Sequence, residues 1–158
     1  MNTSVKPQGC TNLKLRQLTR MVTRHYDRHV SETGLKNTQY ALLSYIVELG
    51  PIRPGDLARR MHMDASTLTR NMQPLVAHGW LKIGAGSDAR CRLVEATAAG
   101  QTKRSETRHV WKEAQVALNE RLGVERIAAL HDLLDACIKC LDDDPDSTPS
   151  NHSGRMKT

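Results

Sequence analysis

From about Thr11 to Ser31 the apolar residues Leu15, Leu18, Val22, Tyr26 and Val30 recur every three or four positions, which predicts one face of a long amphipathic helix. Gly34 stops it, being free to take the left-handed conformation of a helix C-cap. Thr38 is placed to cap a second helix, whose apolar surface is Tyr40, Leu42, Leu43, Ile46, Val47 and Leu49, and Gly50-Pro51 ends it. A short third helix starts near Pro54, where a missing N–H costs nothing, and turns Leu57, Ala58 and Met61 inward. After a tight turn, Asp64 is a suitable N-cap for a fourth helix over roughly 65–78, with Leu68, Met72, Leu75 and Val76 inward. Pro74 inside that helix removes one backbone hydrogen bond and should bend it.

Beyond Gly79 the period changes. Trp80-Leu81-Lys82-Ile83 and Cys91-Arg92-Leu93-Val94-Glu95-Ala96 read as two short strands, joined by a Gly/Ser/Asp-rich turn into a β-hairpin. Thr97 then caps a long helix to about Leu122 carrying Val110, Trp111, Ala114 and Leu118. After Gly123 a last helix runs to about Leu141 with Ile127, Leu130, Leu134 and Ile138. Residues 1–10 read as a flexible arm, and residues 142–158, acidic and then Pro/Ser-rich, as a disordered tail. The predicted fold class is mainly α (α+β): a winged helix-turn-helix over about 38–97, within one domain spanning 11–141. The long helices of 11–33 and 98–141 could not bury their apolar stripes in a small monomer, so they are predicted to pair across a two-fold axis.

Composition supports that picture at two points. The chain of 158 residues has no Phe and only 3% aromatic residues, so its core rests on aliphatic and Met side chains, which suits helices that share a core with a second subunit. Its net charge of +6 suits a polyanion, nucleic acid or an anionic membrane surface. The charge is concentrated between Pro51 and Arg92, where seven basic residues face three acids. No stretch is long and apolar enough to span a membrane, and MNTSVKPQGC lacks the apolar region of a signal peptide. A cytoplasmic location is therefore expected, with the four cysteines reduced.

The helix pair 54–78 has helix-turn-helix spacing, and its second helix offers Ser66, Thr67, Thr69, Arg70, Asn71 and Gln73 on a polar face. Hydroxyl, amide and guanidinium groups bond to phosphates and to base edges in a major groove, although an ordinary solvated face carries the same residue types. The hairpin adds Asp88, Arg90 and Arg92. A carboxylate beside a guanidinium can aim it, and a narrow A·T-rich minor groove attracts such an arginine. Enzymatic chemistry finds no support. There is no Ser/His/Asp set, carboxylate pair or phosphate-binding loop, and Gly84-Ala85-Gly86 is a hairpin turn with no helix after it.

The ordered set Gly34-Leu35, Thr38-Gln39-Tyr40, Leu57-Ala58, Thr67-Leu68-Thr69-Arg70, Leu75, Gly79-Trp80-Leu81, Asp88-Ala89-Arg90 and Thr97-Ala98-Ala99-Gly100 resembles the MarR (multiple antibiotic resistance regulator) family over about residues 11–141. One departure is Ala96, where a Leu usually precedes the Thr. The resemblance implies a homodimeric transcriptional regulator on pseudo-palindromic double-stranded DNA, usually a repressor released by a signal. Its helix 65–78 would enter the major groove and Arg90 the minor groove. A winged-helix architectural or protein-interaction module without a ligand switch is the other reading.

Several features could carry the signal. Cys10 precedes the first helix, and the arrangement resembles the organic hydroperoxide repressors of this family, whose two tyrosines match Tyr26 and Tyr40; Cys10 lies about two residues upstream of that family's position. Cys137 and Cys140 form a C-x-x-C, whose plainest reading is small buried side chains but which can also be redox-active or half of a metal site. A thiol-bound soft metal or metalloid could join Cys10 to Cys137 or Cys140 across a dimer; no cofactor or conventional metal site is otherwise expected. His25 and His29 have metal-ligand spacing but sit beside Arg24 and Arg28. A small organic anion between the dimer helices and the DNA-binding unit is the remaining effector, with Arg16, Arg20 or His25 as candidate charges.

Overall fold

The helix periods and their Gly and Pro punctuation are realised closely in the computed structural model, which describes residues 8–86 and 91–142. These fall into two compact units, one through Val116 and one from Ala117 onward. The first holds α1 (Thr11–Val30), α2 (Asn37–Leu49), α3 (Pro54–Arg60), α4 (Ala65–Ala77), β1 (Leu81–Ala85), β2 (Arg92–Ala96) and most of α5 (Ala98–Leu122). The second holds the end of α5 and α6 (Val124–Asp142), where Leu118 and Ile127 are buried and Gly123, at φ 87°, makes the turn.

The first unit's core is aliphatic. Val30, Leu35, Leu43, Leu57, Leu68, Leu75 and Val94 are completely or almost completely buried, and Tyr40, Ile46 and Met72 join them. β1 and β2 pair antiparallel, Leu81 opposite Ala96 and Ile83 opposite Val94. Ile52 bonds to the other edge of β2, with N–H to O distances of 3.0 and 2.9 Å to and from Val94, so the segment after α2 extends the hairpin into a three-stranded edge. Lys82 and Glu95, opposite each other in the register, form an exposed ion pair at 2.9 Å. No helix among the described residues is long and apolar enough to cross a membrane.

Two boundaries and one buried position differ from the sequence expectation. α1 ends at Val30, and one 3-10 turn (Ser31–Thr33) intervenes before Gly34, whose φ of 81° caps that turn. The N-cap of α2 is Lys36 and not Thr38; the Gln39 side chain accepts the Lys36 N–H at 2.9 Å, and Asp27 of α1 accepts the Asn37 N–H at 2.7 Å. Two exposed donors at the helix start are thus satisfied from other positions, which leaves Thr38 inside the first turn. Val76, expected inward, is 36% exposed, because the buried line Leu68–Met72–Leu75 already fills the inner face of α4.

Thr97 caps α5 as expected. Its hydroxyl oxygen accepts the Gly100 N–H at 3.1 Å and its proton goes to the Gly79 carbonyl at 2.6 Å, tying the start of α5 to the end of α4. Thr97→Ala should cost about 1 kcal/mol. Its chemical-denaturation midpoint should fall with an unchanged m-value; a midpoint equal to that of the native chain would mean that water replaces both bonds at no cost.

Candidate nucleic-acid interface

Two helix ends position α4. After α3 the chain turns through His62 in the left-handed region, φ 48°, with His62 N–H bonded to Arg59 O at 3.1 Å and Met63 N–H to Ala58 O at 2.9 Å. That bond pair is a Schellman closure made without glycine. α4 closes in the same way, Gly79 N–H to Val76 O at 2.9 Å and Trp80 N–H to Leu75 O at 3.0 Å, with Gly79 at φ 73°. Trp80 leads straight into β1, so the helix and the hairpin are joined by one rigid corner. His78 stacks on Trp80 with centroids 4.5 Å apart, and Lys103 of α5 lies 5.4 Å from the Trp80 ring centre.

Leu68, Met72 and Leu75 anchor α4 to the core, which leaves Ser66, Thr69, Arg70 and Gln73 on the opposite, exposed face. Thr67 and Asn71 are half-buried along its flank, so the expected six-residue face is in practice four residues wide with a two-residue margin. The Thr69 hydroxyl donates to Ala65 O at 2.8 Å. Arg70 has no ion-pair partner among the described residues. Asp64 holds the N-cap position with extended backbone but makes no side-chain capping bond.

At the hairpin, Gly86 N–H reaches Cys91 O at 2.6 Å, and Arg92 is exposed at the start of β2. Asp88 and Arg90 lie outside the described residues.

Within the first unit the predicted sensor residues Cys10 and Tyr26 lie far apart. Cys10 is exposed at the N-cap of α1, and Tyr26 is sixteen residues along that helix, about 24 Å at the α-helical rise. Tyr26 is buried, and its hydroxyl donates to Gln115 Oε1; burial raises its pKa above the ordinary value, so it stays a neutral donor at physiological pH. Tyr26 and Tyr40 both pack on Trp111, with ring centres 5.8 and 6.0 Å away. His25 Nε2 is bonded to Ala114 O at 2.8 Å, and no group of three or more metal-ligating side chains gathers among the described residues. Cys137 and Cys140 are exposed in the single chain.

A groove of about 420 Å³ between α2 and α5 was not legible in the sequence. Tyr40, Tyr45 and Trp111 line it together with Ser44, Glu48, Arg104, Arg108 and Lys112. Arg104 Nη2 bonds to Glu48 Oε1 at 2.6 Å, while Arg104 Nε and Ser44 Oγ are buried without a partner. The three cations recur every fourth residue on α5, a periodicity that is visible in the sequence, but the partner of Arg104, Glu48, comes from a helix fifty-six residues earlier.

Comparison with known proteins agrees with this geometry. Residues 33–90, from the turn before α2 past β1 but ending before β2, match the MarR family profile. The Mycobacterium tuberculosis transcriptional regulator MosR, solved in complex with DNA, is 31% identical over 82% of this chain and 98% of its own, with a TM-score of 0.66. Escherichia coli MarR without ligand shares the fold at 21% identity, covering 83% of this chain and 98% of its own, with a TM-score of 0.67. An HTH-type transcriptional regulator of Bacillus subtilis, YwoH, is 25% identical over 59% of this chain and 68% of its own length. With the profile falling on the helix-turn-helix and the likeness to MosR extending over nearly the whole of that protein, the chain belongs to the MarR family of transcriptional regulators.

Proposed function

We propose that this chain is a homodimeric repressor that binds a pseudo-palindromic site on double-stranded DNA and is released by a small organic anion. The observation that carries the reading is the exposed face of α4, where Ser66, Thr69, Arg70 and Gln73 stand opposite a buried apolar line. Arg70 suits a bidentate contact to guanine, Gln73 suits adenine, and the methyl of Thr69 suits a thymine methyl. Thr67 and Asn71 would take phosphates at the margin. Arg92, with Asp88 and Arg90 of the hairpin tip, would enter the neighbouring minor groove. MosR and an E. coli MarR variant, both solved with DNA, support this mode of use. Exposed Leu13, Leu15 and Met21 on α1 and Val124, Ile138 and Leu141 on α6 support pairing of two chains, which in turn calls for a two-fold symmetric site.

The α2–α5 groove is the proposed effector seat. Three aromatic rings accept a flat apolar body, and Arg104 Nε with Ser44 Oγ offers two unpaired donors to a carboxylate. Burying such donors unpaired costs about 1–3 kcal/mol, which a bound anion would recover. Cys10 as an oxidant sensor is the competing signal.

Fluorescence anisotropy on labelled duplexes tests the proposal. A selected palindromic site should bind at least a thousandfold more tightly than random duplex at physiological salt. Aromatic carboxylates should release it, and Cys10→Ser should leave that release intact. Equal affinity for all duplexes would favour the architectural reading, and release by peroxide alone, lost in Cys10→Ser, would move the signal to the thiol.

A further inference from the structure

The pair Cys137 and Cys140 is used by none of the above. Both thiols are free and exposed on α6, a helix continuous from Val124 to Asp142. Three residues of α-helix separate them by about 60° around the axis and about 4.5 Å along it. Around the same axis Ile127, Leu130, Leu134, Ile138 and Leu141 form the apolar stripe; Cys137 falls between Leu130 and Leu133, which is 65% exposed, and Cys140 lies farther from the stripe's centre.

Helix geometry decides which chemistry suits two such thiols. Side chains three apart on a helix have Cβ atoms roughly 5–6 Å apart. A disulfide needs Cβ atoms roughly 3.5–4.5 Å apart and sulfurs about 2.05 Å apart, so it cannot close here without unwinding the helix. One bridging atom changes the span: with bonds of about 2.3 Å to each sulfur and a tetrahedral angle, the sulfurs sit roughly 3.8 Å apart, which the intact helix reaches by side-chain rotation. Hard cations find no carboxylate or imidazole cluster here among the described residues. Thiols select soft acceptors.

We propose that Cys137 and Cys140 form a two-thiol chelating site for a thiophilic metal or metalloid, trivalent arsenic being the probe of that class. With phenylarsine oxide the step is a condensation. Two S–H bonds and the arsenic–oxygen bond break, two arsenic–sulfur bonds form, the oxygen leaves as water with both thiol protons, and arsenic stays trivalent. The proposal rests on α6 alone and is independent of the DNA-binding reading.

The test is intact-mass spectrometry of the full chain after phenylarsine oxide and gel filtration in excess 2-mercaptoethanol, which removes single-thiol adducts. One retained adduct per chain is expected for the native chain and for Cys10→Ser and Cys91→Ser. None is expected for Cys137→Ser or Cys140→Ser, each with native helical circular dichroism. An adduct that survives Cys137→Ser, or no retained adduct in the native chain, overturns the site.

Discussion

Gly100→Ala is expected to destabilise the protein by about 3 kcal/mol, at the upper end of what one added methyl group does to a packed interior. Gly100 is buried in the first turn of α5, and a Cβ there would lie 2.0 Å from the Trp80 carbonyl oxygen and 2.9 Å from its carbonyl carbon. Both are backbone atoms, so no rotamer change relieves the overlap. The Trp80 carbonyl already accepts the Thr97 N–H at 3.0 Å, and the Trp80 N–H is held by Leu75. Moving Trp80 away therefore breaks the corner that joins α4, β1 and α5. For a chain of this size the melting temperature should fall by roughly 6–12 °C. Gly55→Ala is the control: nothing lies within 4 Å of a Cβ there, and alanine in α3 should be neutral or stabilising by up to about 1 kcal/mol. Equal melting of Gly100→Ala and the native chain would mean that α5 meets the hairpin more loosely than this geometry requires.

That corner also marks how much was readable in advance. Gly50-Pro51, Pro54, Gly79, Thr97 and Gly123 are residues whose backbone preferences act locally, and each ends or starts an element where the sequence alone puts it. The misplacements share a different cause. His62 closes α3 in a left-handed conformation that sequence rules assign to glycine, because the bonds to Ala58 and Arg59 and the packing of Met61 and Met63 hold it there. Lys36 begins α2 because Asp27, ten residues upstream, accepts the Asn37 N–H. The polar face of α4 was legible because helical period fixes which residues oppose Leu68 and Leu75. The α2–α5 groove was not, since Ser44 and Arg104 are neighbours only through the packing of two distant helices. The bond from the Tyr26 hydroxyl to Gln115 was illegible for the same reason, its two ends being eighty-nine residues apart.

Replacing Arg70 by alanine should separate reading from mere attachment. Arg70 is exposed on α4 with its guanidinium unpaired among the described residues, so its removal should leave the melting temperature unchanged. If it makes a bidentate contact to a guanine, operator affinity should fall by about 1–3 kcal/mol, roughly tenfold to more than a hundredfold, while random-duplex affinity changes little. Arg70→Lys should not rescue it, because an ammonium cannot present two parallel donors. A phosphate contact predicts a different pattern: both affinities fall together, lysine restores them, and the salt slope drops by about one. Arg90→Ala should follow neither pattern if it reads groove shape. Its loss should be largest on sites with A·T-rich flanks and small where those flanks are G·C. Operator affinity unchanged in Arg70→Ala would take the α4 face out of sequence recognition, and only the hairpin would then remain to choose the site.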